Sequence, residues 1–230
     1  MSSVSIFATD TYLPALPDMA LHFNCTQTEI QLSFTVFLLG LAGSQLIVGA
    51  LSDRFGRKKI VISGFVLFTL SSILCANAHT LSQFIIFRLL QAIGGGVGSV
   101  TSRALVVDRY NRQESVKIFS TIFPIVGSSA AIAPFIGGYL TTFFGWRSNF
   151  FMIAIFGLII LFCVFLCLKN KVPSVSTKHP PTSKKQGYSD VLGNLEFLGY
   201  ALIIAAGFCV FRSYSVETPF VFSRQGYAPE

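Results

Sequence analysis

Residues 49–59 read Gly-Ala-Leu-Ser-Asp-Arg-Phe-Gly-Arg-Lys-Lys, a charged stretch between two apolar runs at residues 29–48 and 60–78. Each run has about the twenty residues that a helix needs to cross a bilayer. Hydrocarbon cannot accommodate the charged stretch, which we call the hinge, so it must join two membrane-spanning helices on one aqueous side. Its lysines and arginines predict that this side is the cytoplasm, where basic residues near membrane segments are retained.

The composition favours a membrane protein over a soluble one. Of the 230 residues, 52% are hydrophobic and 12% are charged, whereas about a quarter of the residues in soluble domains are charged. The net charge of +7 would also suit a nucleic-acid-binding protein. However, the basic residues are concentrated in short segments between apolar runs, as membrane topology requires. We therefore predict no nucleic-acid partner.

Seven transmembrane helices are predicted from the apolar runs. The first, at residues 2–18, is short and contains Pro14 and Pro17, so we expect a bent, packed helix end. The others are predicted at residues 29–50, 60–78, 81–105, 117–143, 146–168 and 195–214. Connections with and without lysine or arginine alternate along the chain. This alternation predicts a cytoplasmic N-terminus and an external end at residue 230.

The same pattern divides the chain into three parts. Residues 1–168 form a predicted transmembrane unit with six helices, of which the first is short. Residues 169–194 are rich in lysine, serine, proline and glycine, which is typical of a cytoplasmic linker with little to bury. Residues 195–230 contain the seventh helix and an external segment that we expect to begin at residue 217.

The hinge matches every defined position of the pattern Gly-x-Leu-x-Asp-Arg-x-Gly-Arg-Lys/Arg-Lys/Arg, so the sequence resembles the major facilitator superfamily. Residues 10–17, Asp-Thr-Tyr-Leu-Pro-Ala-Leu-Pro, are similar to the first-helix signature of Bcr/CflA-type multidrug:proton antiporters, the bicyclomycin-resistance group. The resemblance implies an all-α polytopic membrane protein, with the six-helix N-terminal half of a major facilitator fold plus a seventh transmembrane helix. Family members have two such halves, so the sequence looks like the N-terminal part of a transporter.

The function that this resemblance implies is proton-coupled efflux of drug-like, hydrophobic or cationic compounds across the inner membrane. The proton gradient would supply the energy, with no cofactor, and the lipid bilayer and a small-molecule substrate would be the partners. Two alternatives stay open: a proton-coupled uptake symporter, and a non-transporting fragment or a half that needs a separate C-terminal half. An enzyme within the membrane would need a nucleophile paired with a base. We find no such pair in the sequence, so we do not predict an enzyme. All three histidines fall in predicted loops, so no metal site is expected.

Asp10 and Arg88 are the candidate residues for proton coupling and substrate binding. An arginine within a membrane span is rare and usually faces a cavity or a partner. Both residues lie about 10–12 Å from the same end of their helices, so they could pair. The resemblance implies that Asp10 carries the proton and that Arg88 adjusts its affinity for the proton. The alternative is a static pair that only holds two helices together.

Two further sets of residues are assigned by the resemblance. A conformational gate is implied for the hinge, by Gly49, Asp53, Arg54, Gly56 and Arg57. The alternative is that the basic residues serve only topology. In the fifth predicted helix, Pro134, Gly137 and Gly138 resemble an antiporter motif ending Gly-Pro-x-x-Gly-Gly, although Ala133 occupies the first glycine position. Independently of the family, these residues predict a kinked helix that packs closely on a neighbour.

Overall fold

A computed structural model of the chain describes residues 2–167 and 195–224. Its helices are α1 (Ser2–Asp10), α2 (Leu16–His22), α3 (Gln27–Phe55), α4 (Arg57–Ala76), α5 (Leu81–Arg109), α6 (Arg112–Phe144), α7 (Arg147–Cys167) and α8 (Leu195–Arg224), with a 3-10 turn at Leu13–Ala15. The predicted linker at residues 169–194 lies outside the described residues, as do residues 225–230 of the predicted external segment.

Six of the described helices are long and apolar enough to cross a membrane. They do so over Gln27–Ser52, Arg57–Ala76, Leu81–Arg109, Arg112–Phe144, Arg147–Leu166 and Leu198–Val221. Each of these segments overlaps one of the second to seventh predicted helices, so the all-α polytopic fold class is confirmed. The two shortest, with 20 residues each, are about 30 Å long, which equals the thickness of the hydrocarbon core.

The first predicted helix is interrupted, as its prolines indicate. Helix α1 ends at Asp10, and the chain resumes in the 3-10 turn and then in α2. Pro14 and Pro17 both lie in the first turn of the helical element that contains them, where a missing N–H is tolerated. The interruption brings residues 10–12 into the interior of the bundle, where all three are buried.

The hinge is more helical than predicted. We expected its charges to lie in a loop, but α3 continues to Phe55 and α4 begins at Arg57, so Gly56 is the single residue between two helices. Arginine and lysine are good helix formers, which explains why the helices extend past the apolar runs. Gly56 has φ of +91°, a backbone conformation that glycine adopts readily and other residues do not.

Two other predicted loops are also wrong in their bounds. The basic segment after the fourth predicted helix continues α5 to Arg109, and α6 already begins at Arg112. Asn111 caps α6 through a capping box with Glu114, which moves the helix start upstream of the apolar run. Helix α8 continues through Pro219 to Arg224, whereas we expected the seventh helix to end at residue 214.

Helix α5 packs between α3 and α4 because glycines remove side chains from both contacts. A Cβ on Gly94 would come within 2.6 Å of the Gly64 carbonyl oxygen on α4. A Cβ on Gly96 would overlap the Ser44 hydroxyl on α3. Small residues are the usual means of close helix packing in membranes, where dispersion contacts replace the hydrophobic effect.

The buried side chains form two clusters at opposite ends of the bundle. One cluster contains Tyr12, Leu16, Phe84 and Phe150 together with Trp146, and we call this the Trp146 end. The other contains Val61, Phe65 and Phe68 and continues towards the hinge, so we call it the hinge end. Helix α8 joins the Trp146 end through Val216 and Phe220.

Candidate functional site

The interruption of the first helix creates a buried ionic site. Asp10 is the last residue of α1, and it is only 3% exposed. Its Oδ1 atom accepts a hydrogen bond from Nη1 of Arg212 on α8, and the two side chains form an ion pair. Arg212 is 8% exposed. A hydrogen-bonded ion pair of this kind is strong in a low-dielectric interior, provided that both partners stay in place.

Arg88 lies close to this pair but does not contact Asp10. It is fully buried on α5, with its guanidinium carbon 4.2 Å from the ring centroid of Tyr12 and 4.1 Å from that of Phe37. Its Nη1 atom donates to the carbonyl oxygen of Ala8 at 3.0 Å. The expected Asp10–Arg88 pair is therefore not formed. Arg212 takes that place, and the aromatic faces stabilise the Arg88 cation instead.

A chain of hydrogen bonds to uncharged acceptors holds Arg88. Its Nη1 also donates to Oε1 of Gln91 at 2.6 Å, and the Gln91 amide donates to the Ser72 hydroxyl at 2.7 Å. Ser72 in turn donates to the Phe68 carbonyl oxygen. Among the residues that the structure describes, Nε and Nη2 of Arg88 have no hydrogen-bond partner. The site therefore contains two guanidinium groups and one carboxylate.

Helix α6 closes the site from another side. A Cβ on Gly137 would overlap the carbonyl oxygen of Thr11, whereas a Cβ on Gly138 would lie 3.9 Å from the Pro14 Cβ, an ordinary van der Waals distance. Pro134 lies inside α6, and so does Pro124, which the sequence analysis did not single out. The glycines of this motif thus allow α6 to pack directly on the interrupted backbone beside Asp10.

The hinge residues lie at the other end of the bundle. Phe37 contacts Arg88, and it is about 27 Å along α3 from Phe55 beside the hinge. Arg57 forms an ion pair of 2.8 Å with Asp108 near the end of α5. The exposed Arg54 lies over the ring of Phe55, and an added Cβ on Gly49 would meet no atom within 4 Å. The side chain of Asp53 lies outside the described part of the chain.

Two sets of residues at the Trp146 end were missed by the sequence analysis. The first is Arg212, which a systematic search for ionisable residues inside predicted spans would have found. The second is Glu217, whose carboxylate accepts hydrogen bonds from the amides of Gln27 at 2.9 Å and Gln31 at 3.2 Å. No sequence signal connects Glu217 to these glutamines, since the contact depends on how α8 is placed on α3.

The surface of the Trp146 end carries a histidine that Arg147 perturbs. Nη2 of Arg147 lies 3.0 Å from Nε2 of His22, and its guanidinium carbon lies 4.4 Å from the centroid of Trp146. Partial burial, then the positive charges of Arg147 and His79, lower the pKa of His22 below its ordinary value of 6.5. The neutral ring can accept the hydrogen bond from Arg147.

A cavity of about 220 Å³ lies towards the hinge end, between α1, α3, α5 and α6. Ser5, Gln45 and Arg103 supply polar groups, while Leu41, Phe119 and Phe123 are among its apolar lining residues. No group of three metal-ligating side chains occurs within residues 2–167 and 195–224.

Comparison with known proteins gives a consistent family. The family model described as Major Facilitator Superfamily matches residues 1–229. The chain is 34% identical over 218 residues to the uncharacterized MFS-type transporter YdgK of Bacillus subtilis (strain 168), covering 93% of this chain and 54% of that protein. It is 31% identical over 212 residues to the multidrug resistance protein MdtL of Klebsiella pneumoniae (strain 342), covering 91% of this chain and 53% of that protein. The chain therefore spans about half the length of these curated relatives.

A solved structure supports the same fold. The crystal structure of a bacterial homolog to the human lysosomal transporter Spinster, in an inward-facing and unoccupied conformation, superposes with a TM-score of 0.69. The two chains share 16% sequence identity, and the match covers 98% of this chain and 54% of the other. At this identity the likeness concerns the fold alone.

Proposed function

Because this chain belongs to the major facilitator superfamily, we propose that it is the N-terminal part of a transporter that exports small drug-like compounds in exchange for protons. Relatives named multidrug resistance proteins support the export of drugs. One observation carries the proposal of proton coupling: a buried carboxyl group, Asp10, paired with a cation from a different helix. Buried ionisable residues in membrane segments commonly serve as proton relays.

In this proposal Asp10 exchanges a proton while the transporter alternates between its two open states. When Asp10 is ionised, Arg212 neutralises it; when Asp10 binds a proton, the attraction is lost. Arg88 remains a fixed cation that disfavours prolonged protonation of the carboxyl group nearby. Substrate would bind near the middle of the membrane, between this half and a second half, and rocking of the halves would expose it to each side in turn.

The proposed topology follows the distribution of charge. The hinge end faces the cytoplasm, the N-terminus is cytoplasmic, and the Trp146 end and residue 230 are external in the inner membrane. Residues 1–168 form one transmembrane half, residues 169–194 are the linker, and residues 195–230 begin the second half. The Arg57–Asp108 pair at the hinge end supports the proposed gating role of Gly49, Asp53, Arg54, Gly56 and Arg57, because a gate needs contacts between helices that can open.

The test is efflux of a fluorescent cationic dye from cells that express the 230-residue chain, alone and together with the C-terminal half of a relative such as MdtL. We expect efflux that depends on the proton gradient when both halves are present. Asp10→Asn should abolish this efflux and leave the amount of inserted protein unchanged. Arg109→Lys, which keeps the charge at an exposed end of α5, is the matched control.

The alternative functions give different results in the same cells. A proton-coupled uptake symporter would accumulate the dye instead of expelling it. A non-transporting fragment would insert normally and show no efflux, either alone or together with the C-terminal half. Efflux that is unchanged in Asp10→Asn would remove this residue from the mechanism.

A further inference from the structure

Helix α8 contacts the rest of the described chain through one stripe of its surface. Arg212, Val216 and Phe220 are buried along this stripe, and their spacing of four residues places them on one helical face. Residues elsewhere on α8, such as Leu202 and Tyr214, are exposed. A small number of contacts therefore determines whether this part of α8 stays on the first half.

The stripe has two polar contacts of different character. At Arg212 the contact is an ion pair with Asp10, whose strength depends on the charge of the carboxyl group. At Glu217 the contact is with two glutamine amides, so its strength does not depend on the charge of Asp10. The two contacts are about 7.5 Å apart along the helix. Protonation of Asp10 therefore weakens one contact of the stripe directly and leaves the amide contact in place.

Arg212 has an alternative environment on its own helix. Its guanidinium carbon lies 5.1 Å from the ring centroid of Phe208 and 5.8 Å from that of Phe211. Aromatic faces stabilise a cation within about 6 Å. Loss of the carboxylate charge therefore does not leave this guanidinium without a favourable partner.

Among the residues that the structure describes, the charged groups near Asp10 come from α5 and α8. Helix α5 contributes Arg88, which reaches the carbonyl oxygen of Ala8, and α8 contributes Arg212, with Glu217 further along. Tyr12 follows Asp10 in the chain and lies under the Arg88 guanidinium. The sequence has no Asp, Glu, Lys, Arg or His in residues 118–144 of α6 or in residues 148–167 of α7.

We infer that Arg212 is the counter-ion of the proton site and that binding of a proton to Asp10 releases Arg212, which frees the α8 stripe from the first helix while Glu217 acts as the pivot. This inference rests on the proposed function, because it identifies the cation that the proton displaces. The proton adds to the Asp10 carboxylate oxygen and is returned from the same oxygen when Arg212 rebinds. Arg212 is thus a positioning residue that couples protonation to the movement of a helix.

The first test measures protonation of Asp10 without any transport. Dicyclohexylcarbodiimide modifies protonated carboxyl groups in membranes, and mass spectrometry of the peptide that contains Asp10 gives the pH midpoint of labelling. In membranes containing the full 230-residue chain, Arg212→Gln should raise this midpoint by about 1 pH unit or more, since a nearby cation favours the ionised form. Arg212→Lys should keep the midpoint close to that of the wild type.

The controls separate this inference from its rivals. Arg147→Gln removes an arginine at the same end of the bundle that does not contact Asp10, and it should leave the midpoint unchanged. An unchanged midpoint in Arg212→Gln, with a raised midpoint in Arg88→Gln, would overturn the inference and make Arg88 the counter-ion. Because labelling needs no efflux, failure of the transport assay leaves this result readable.

The second test measures release of the helix. Asp10→Asn imitates the protonated, uncharged state, so the backbone amides of residues 208–220 should exchange hydrogen several-fold faster than in the wild type at neutral pH. Lowering the pH should accelerate exchange in the wild type, after correction for the intrinsic rate, and should have little further effect in Asp10→Asn. Equal protection of α8 in both proteins would contradict the release step.

Discussion

Arg88 carries its charge into an interior where both of its described hydrogen-bond acceptors, Ala8 and Gln91, are uncharged. The flat guanidinium is held between Tyr12 and Phe37, an arrangement that the compact ammonium group of lysine cannot reproduce. The residue thus fixes the junction between α5 and the interrupted first helix. Its geometry, as well as its charge, is required.

We predict that Arg88→Lys lowers the free energy of unfolding by about 1–3 kcal/mol, through loss of stacking and of one hydrogen bond. The single tryptophan, Trp146, lies in the same buried cluster as Tyr12, so its fluorescence during thermal unfolding in detergent reports the change. The control Arg109→Lys, at an exposed position, should unfold like the wild type. Equal unfolding temperatures for Arg88→Lys and the control would show that charge alone matters at this position.

At this scale the sequence identified two of the three charged residues of the site. Asp10 and Arg88 are recognisable because an ionisable side chain in an apolar segment is unusual. Their pairing was predicted wrongly because matched depth in the membrane does not fix the rotation of each helix about its axis. Arg212 reaches Asp10 because the first helix is interrupted and α8 presents that face. The prolines indicate the interruption, but residue spacing does not show which face α8 turns towards Asp10.

Helices α1 and α6 meet at backbone contact, and this junction positions Asp10. Gly137 of α6 leaves no room for a Cβ against the Thr11 carbonyl oxygen. Gly127 lies on the same helix, and an added Cβ there would meet no atom within 4 Å. The two glycines therefore form a natural pair for separating a packing effect from a change in helix propensity.

We predict that Gly137→Ala destabilises the protein by about 1–3 kcal/mol, the usual cost of overpacking. Gly127→Ala should be neutral or slightly stabilising, because alanine favours helix more than glycine does. Thermal unfolding followed by Trp146 fluorescence, together with the yield of inserted protein, distinguishes the two variants. If both variants unfolded at the same temperature and inserted in the same amount, a close contact between α6 and the first helix would be contradicted.

Sequence patterns predicted these elements better in their apolar centres than at their ends. Hydrophobic runs located six membrane-spanning helices because hydrocarbon tolerates few other structures. The helices were predicted too short because charged residues can continue a helix beyond the membrane into water. At the hinge, only Gly56 separates α3 from α4. Pro134, Gly137 and Gly138 predicted a closely packed helix, but its partner, the backbone at Thr11, depends on the tertiary arrangement.

In the whole molecule, α8 begins the second half of the proposed transporter and already contacts the first. It joins the Trp146 end through an ion pair, two amide contacts and the apolar side chains of Val216 and Phe220. The charge and hydropathy of the sequence predicted seven helices and their order. They carried no information on which helices touch, because the pattern of close contacts is set by small residues and rotational placement.

If substrate is exchanged for a proton bound at Asp10, transport of substrate must move protons in the opposite direction, and this movement can be measured. Inverted membrane vesicles that contain the chain with a C-terminal half are acidified by respiration, and a pH-sensitive dye reports the lumen when substrate is added outside. We expect a rise in luminal pH for the wild type and for Arg109→Lys, and none for Asp10→Asn. A rise of the same size in Asp10→Asn, with equal amounts of inserted protein, would show that Asp10 does not carry the exchanged proton.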